Sequence, residues 1–167
     1  AESVEGGGRA AGRERPEALR AVGELYLRGG EEDKPDGREA FKWFERAVEA
    51  GRIEGHNSLG FLCENGARFG WTTEQAVTHY RTAAVAGDAR GQMNLGRVYF
   101  DGVGVPEDDV EACKWFLLAQ QNGEGAAGKY LRDFESAKIL NSEQIAEAQK
   151  RANDFQRALA KKKKPAE

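Results

Sequence analysis

The sequence predicts an all-α protein, a right-handed α-α superhelix (solenoid) of about four antiparallel helix pairs. Three observations carry that prediction. Ala40, Ala76 and Ala112 stand 36 residues apart, as do Trp43, His79 and Trp115. An aromatic residue follows each member of the second set, at Phe44, Tyr80 and Phe116, and small residues recur at Ala47, Ala83 and Ala119. Upstream, Gly23, Gly60 and Gly96 run in steps of 37 and 36. A fixed period in this range marks a chain that stacks one supersecondary unit. The question of function therefore moves from a catalytic pocket to a presented surface.

Each element follows from local signals. Residues 1–15 are rich in Gly, Ala, Arg and Glu and read as a flexible lead-in. Pro16 suits a first helical turn, where its missing N–H would be unpaired anyway. Leu19, Val22, Leu25 and Tyr26 then recur at helical spacing until Gly29-Gly30. Asp36 is a sound N-cap for a second helix carrying Ala40, Phe41, Phe44, Ala47 and Val48, closed by Gly51. The second repeat has helices over Glu54–Asn65 and 74–86, the latter capped by Thr72 or Thr73 and ended by Gly87. The third has helices over 89–100 and from about Glu107, behind Pro106, to Gly123. The repeats thus span about 16–51, 52–87 and 88–123.

A fourth, altered repeat over 124–160 follows in register. Leu131 lies 36 beyond Leu95 and Ala148 lies 36 beyond Ala112, but Arg132 and Arg151 replace the glycine and the tryptophan. Its second helix, from Ser142 to about Ala160, is long and polar, as a terminal cap should be. Residues 161–167, with four consecutive lysines, are expected to be a disordered basic tail.

Glycine inside a helix costs up to about 1 kcal/mol relative to alanine, so its repeated use implies a partner too close for a side chain. The recurring alanines serve the same approach from the second helices, with the aromatics filling gaps between repeats. The run Leu95-Gly96-Arg97-Val98-Tyr99-Phe100-Asp101-Gly102-Val103-Gly104-Val105-Pro106, followed by Asp108 or Asp109, Ala112, Trp115-Phe116, Ala119 and Gly123, resembles the Sel-one-like repeat family, part of the tetratricopeptide-like superfamily. The likeness is good over residues 17–123 and loose over 124–160. It departs in the loops of the first two repeats, where Ala67-Arg68-Phe69-Gly70-Trp71 stands in place of Val103-Gly104-Val105-Pro106-Glu107. The resemblance implies a helical-pair solenoid acting as an adaptor or scaffold.

The 167 residues carry net charge −3 and include two cysteines and two histidines. That balance does not ask for nucleic acid, whose binders carry a strongly basic face. Two thiols are too few for a disulfide framework, and Cys63 and Cys113 are expected to be separate, mostly buried thiols. His56 and His79 have no Cys, Asp or Glu cluster at ligand spacing, and His79 fills a slot held elsewhere by Trp43 and Trp115, so no metal is expected. No nucleophile–base set, phosphate loop or cofactor motif emerges, and the expectation is a protein that is not an enzyme and holds no cofactor. Residue 1 is Ala rather than Met, and Ala-Glu-Ser suits a mature start behind a removed signal about as well as a cut boundary. The reading leans to a periplasmic or secreted protein over a cytoplasmic one.

In such superhelices the first helix of each pair usually lines the concave side, which usually binds. The faces opposite the core stripe hold Arg20, Glu24 and Leu27, then Asn57, Phe61 and Glu64, then Met93, Arg97 and Phe100. Large apolar residues there suggest a groove for a peptide or helix, with Arg97 and Asn57 supplying hydrogen bonds. Packing between repeats is the competing account of Phe61 and Phe100. Trp71, in the irregular loop, either anchors a partner or folds back on Phe69. The expected function is a protein-interaction module, alone or as a subunit of a larger assembly; the alternative is a cell-envelope protein recognising glycan or peptidoglycan fragments. The lysine tail gives a weak case for membrane-surface contact.

Overall fold

The structure, a computed structural model, describes residues 15–29 and 34–163. Among them are eight α-helices, one 3-10 turn at Ala67–Phe69, and no strand. None of these helices is long and apolar enough to cross a membrane. The expectations for the lead-in fall almost wholly outside the described residues, and those for 164–167 wholly so. Residues up to Arg52 form one compact unit and residues from Ile53 form a second.

The first unit is the pair α1 (Pro16–Arg28) and α2 (Gly37–Glu49). Gly29 closes α1 at φ 115°, and the Asp36 side chain accepts from the backbone N–H groups of Arg38 and Glu39 at 2.9 and 3.1 Å. Leu19, Ala40, Phe44 and Ala47 are buried between the helices. Leu25 is not part of that core, being 53% exposed. The buried stripe runs through Leu19 and Gly23 at helical spacing, and six residues on from Leu19 the chain has turned away from it. Glu17 and Arg52 form an ion pair that ties the two ends of this unit.

The second unit contains α3 (Glu54–Asn65), α4 (Thr73–Val85), α5 (Ala89–Asp101), α6 (Asp109–Gln121), α7 (Ala127–Ser136) and α8 (Ser142–Lys163). Helices α3 to α7 each pack on the next, and α8 returns to α6. The starts are set by side chains. Thr72 and Gln75 exchange hydrogen bonds in a capping box that opens α4. Asp108, extended at φ −149°, accepts from Glu111 N–H at 2.9 Å, so α6 begins at Asp109 rather than near Glu107. Helix α8 starts at Ser142 as expected, capped by Asn141: Asn141 Oδ1 accepts from Gln144 N–H and Gln144 Oε1 from Asn141 N–H, both at 2.9 Å. That helix runs on to Lys163 instead of stopping near Ala160, because Leu159 and the lysines are good helix formers and cations suit a helix C-terminus.

Each recurring glycine lies against the aromatic ring of its own repeat. A Cβ on Gly23 would stand 2.6 Å from Phe44 Cε1, one on Gly60 2.6 Å from Tyr80 Cδ1, and one on Gly96 2.8 Å from Phe116 Cδ1. The rings therefore fill the space inside the helix pairs, and Phe116 and Trp115 also meet rings of the next repeat. The C-terminal part of the second unit adds an aromatic stack: Phe116 lies parallel to Tyr130 at 4.4 Å and edge-on to Phe134 at 6.0 Å. Helix α8 closes this end through buried Ala148 and Ala152 and a Trp115–Phe155 edge contact at 5.2 Å. Arg151, in the register slot of Trp115, stays exposed and pairs with Glu111 and Glu147.

Two substitutions test this packing. Gly96→Leu forces a side chain into the Phe116 ring and the Ala112 carbonyl, and urea unfolding should show a loss of about 1–3 kcal/mol or more. Lys138 holds φ 51° after α7, where a non-glycine backbone costs on the order of 1–2 kcal/mol, so Lys138→Gly should raise the urea midpoint.

Candidate interaction face

Helices α3 and α5 lie side by side and are cross-linked twice. Asn94 Nδ2 donates to Asn57 Oδ1 at 2.7 Å, and Arg97 Nη2 pairs with Glu64 Oε2 at 2.5 Å. Asn57 and Glu64 lie one turn before and one turn after Phe61 on α3, so the two links bracket its ring. Phe61 nonetheless remains 51% exposed. The result is an apolar side chain standing between an amide pair and an ion pair.

The ion pair is held from below. Tyr80 O–H donates to the same Glu64 oxygen at 2.9 Å, and Arg97 Nη1 reaches Asp101 at 3.4 Å. Burial, then the Glu64 charge, pushes the Tyr80 phenol well above its ordinary value, so it stays a donor. Burial works against the Arg97 charge, but the hydrogen bond and charge of Glu64, with Tyr80 and Asp101, outweigh it and raise its pKa. After their shared bond each asparagine keeps one group to offer, Asn57 its amide N–H and Asn94 its carbonyl oxygen. Together these are one donor and one acceptor beside Phe61.

The structure thus brings together Asn57, Phe61, Glu64 and Arg97, and adds Tyr80, Asn94 and Asp101. It sends other expected residues elsewhere. Met93 and Phe100 are partly buried against the C-terminal core, Phe100 lying 5.2 Å from Phe134 and 6.5 Å from Tyr130. For Phe100, packing is the account that holds. Trp71 folds back onto Phe69 at 5.0 Å and covers Gly66, where a Cβ would lie 2.1 Å from the indole. Arg20, Glu24 and Leu27 belong to the first compact unit, where Arg20 and Glu24 pair along α1 and Leu27 is half-buried.

Two further features were not legible in the spacing. A cleft of about 240 Å³ between α6, α7 and α8 is walled by Leu117, Leu131 and Ile145 with Cys113 among its lining residues. Cys63 and Cys113 are buried thiols not joined in a disulfide, and burial followed by the Glu135 charge raises Cys113 to about 11, so it is not a nucleophile at neutral pH. The second is a meeting of the two histidines: His56 Nδ1 and His79 Nδ1 stand 3.1 Å apart. Their separation of 23 residues matches no ligand spacing on a single helix, and only the α3–α4 packing joins them.

With the fold in view, the molecule is an α-helical repeat protein. The Sel1 repeat family model matches residues 16–51 and 89–124. The chain is similar to a protective antigen present in uropathogenic Escherichia coli strains, which displays an SLR fold: 31% identity, TM-score 0.65, covering 82% of this chain and 31% of that one. It is similar also to a Sel1 repeat protein from Oxalobacter formigenes, at 29% identity and TM-score 0.59, covering 68% of this chain and 46% of that one. The chain belongs to the Sel1-like repeat proteins, and its fold class is the helical-repeat solenoid of that family. It spans less than half the length of either relative. Sel1 repeats form a non-catalytic scaffold fold that generally mediates protein–protein interaction.

The histidine pair makes stability depend on pH. Burial lowers both pKa values from 6.5, and His56 lowers that of His79 further. The unfolded chain therefore takes up protons more readily, so stability is fully present above about pH 6.5 and falls as the pH drops towards the folded values. Urea midpoints measured from about pH 7.5 to 5 should decline, and His79→Phe should flatten the decline.

Proposed function

We propose that the chain is a protein-interaction module that holds an extended peptide segment of its partner against the α3–α5 face. The observation that supports this most is Phe61, half-exposed between the Asn57–Asn94 and Glu64–Arg97 links. An apolar ring on a surface whose polar groups are already fixed loses little entropy when a partner covers it. The amide pair contributes a donor and an acceptor to the partner backbone, while Phe61 takes an apolar side chain. Arg97 is engaged by Glu64 and Asp101, so it acts as a fixed edge of the site more than as a free cation. Trp71 packs on Phe69 and covers Gly66, so it adds little support to the glycan alternative.

Selection of phage-displayed random peptides on the full chain tests this reading. Enriched peptides should lose about 4- to 12-fold in affinity for Phe61→Asp, given roughly 0.8–1.5 kcal/mol for covering the exposed half of the ring. The melting temperature of that variant should fall only a few degrees, because about half of the ring is already in solvent. Peptides that bind Phe61→Asp as well as the native chain would sink the proposal.

A further inference from the structure

The chain has two histidines, and they meet. In the register of the repeat, His56 stands where the first and third repeats have Leu19 and Gln92, and His79 where they have Trp43 and Trp115. The second repeat departs at both positions at once, and each departure brings an imidazole. The ring centres are 5.4 Å apart for a nitrogen gap of 3.1 Å, about the gap plus the two ring radii, so the nitrogens point at each other.

We propose that His56 and His79 form a two-nitrogen site for a monovalent d10 cation of the copper(I) or silver(I) class. Among the described residues no three His, Cys, Asp or Glu side chains cluster to hold a metal. Zinc sites take at least three protein ligands, and this pair supplies two. A singly charged ion with a filled d shell has no geometric demand from its d electrons and is satisfied by two nitrogens in line. With bonds of roughly 2 Å each, the rings part by about 1 Å to admit it. Both rings are half-buried, within reach of solvent yet shielded enough to disfavour the imidazolium, so they present the neutral, ligating form near pH 7. At present one Nδ1–H is shared between the rings. On binding, that ring carries its proton on Nε2 instead, and no net proton is released. The buried thiols Cys63 and Cys113 are less accessible to an incoming ion than the imidazoles.

The test is nitrogen-resolved NMR of the imidazoles in the full chain, titrated with silver(I) as a redox-inert probe. Two histidines give two spin systems. Both Nδ1 resonances should move together and stop at one equivalent. In His79→Phe, which restores the aromatic class of the register position, competition with a chromophoric chelator should show affinity reduced by more than about tenfold. A circular-dichroism melt establishes that this variant is folded. The proposal is overturned if neither Nδ1 or only one responds at one equivalent, if binding survives in His79→Phe, or if zinc(II) binds the pair more tightly than silver(I).

Discussion

Everything in the structure rests on a ring set against a bare helix backbone. Phe44 on Gly23, Tyr80 on Gly60 and Phe116 on Gly96 place an aromatic side chain where even a methyl group would collide. A glycine within a helix costs up to about 1 kcal/mol, and burying a phenylalanine side chain returns roughly 1.5–3 kcal/mol. The ring wins, provided the two helices stay close. That proviso fixes the small residues at Ala40, Ala76 and Ala112, all essentially inaccessible. The same contact, made once per repeat, fixes which side of each first helix is core and hence which side is left to face outward.

In two repeats the ring is phenylalanine, and in the second it is tyrosine. The extra hydroxyl converts a packing contact into a link between core and surface. Tyr80 holds Glu64, Glu64 holds Arg97, and Arg97 bridges α3 to α5. A partly buried ion pair of this kind offsets its gain against the cost of desolvation and contributes little net stability. Here its effect is order: Glu64 and Arg97, long side chains that would otherwise sample many rotamers, are fixed beside Phe61. The buried phenol cannot ionise near neutral pH, so the link holds over the range in which proteins work.

Much of the fold was legible in the sequence because repetition amplifies weak local signals. One glycine in a helix is ambiguous, and three at constant spacing are not. The helix ends read well where Asp36 and Gly87 leave little choice. They read less well where two candidates were adjacent, as with Thr72 and Thr73, since only geometry shows which side chain reaches N3. Spacing along each first helix also put Asn57, Phe61 and Glu64 on one face of α3, and Arg97 on the matching face of α5. It could not see Asn94, because that contact is made by packing α5 on α3. Nor could it tell that Phe100 would be taken up by α7, whose sequence has left the repeat pattern.

The second repeat is where these exceptions gather. It lies between the two segments matched by the family model, yet it keeps Gly60, Ala76, an aromatic at 80 and Ala83, and so keeps the geometry of the stack. What it changes are residues the stack does not dictate: a tyrosine for a phenylalanine, a histidine for a tryptophan, a histidine where the other repeats have Leu19 and Gln92, and an exposed Phe61 at the position that holds Arg97 one repeat later. Each change places a side chain with a chemical capacity of its own on or beside α3. A repeat array must satisfy its neighbours at every period, which leaves the non-repeating positions as its freedom to specialise. In this chain that freedom is concentrated on α3 and α4, so one helix pair carries the framework contact, the outward face and the imidazole pair together.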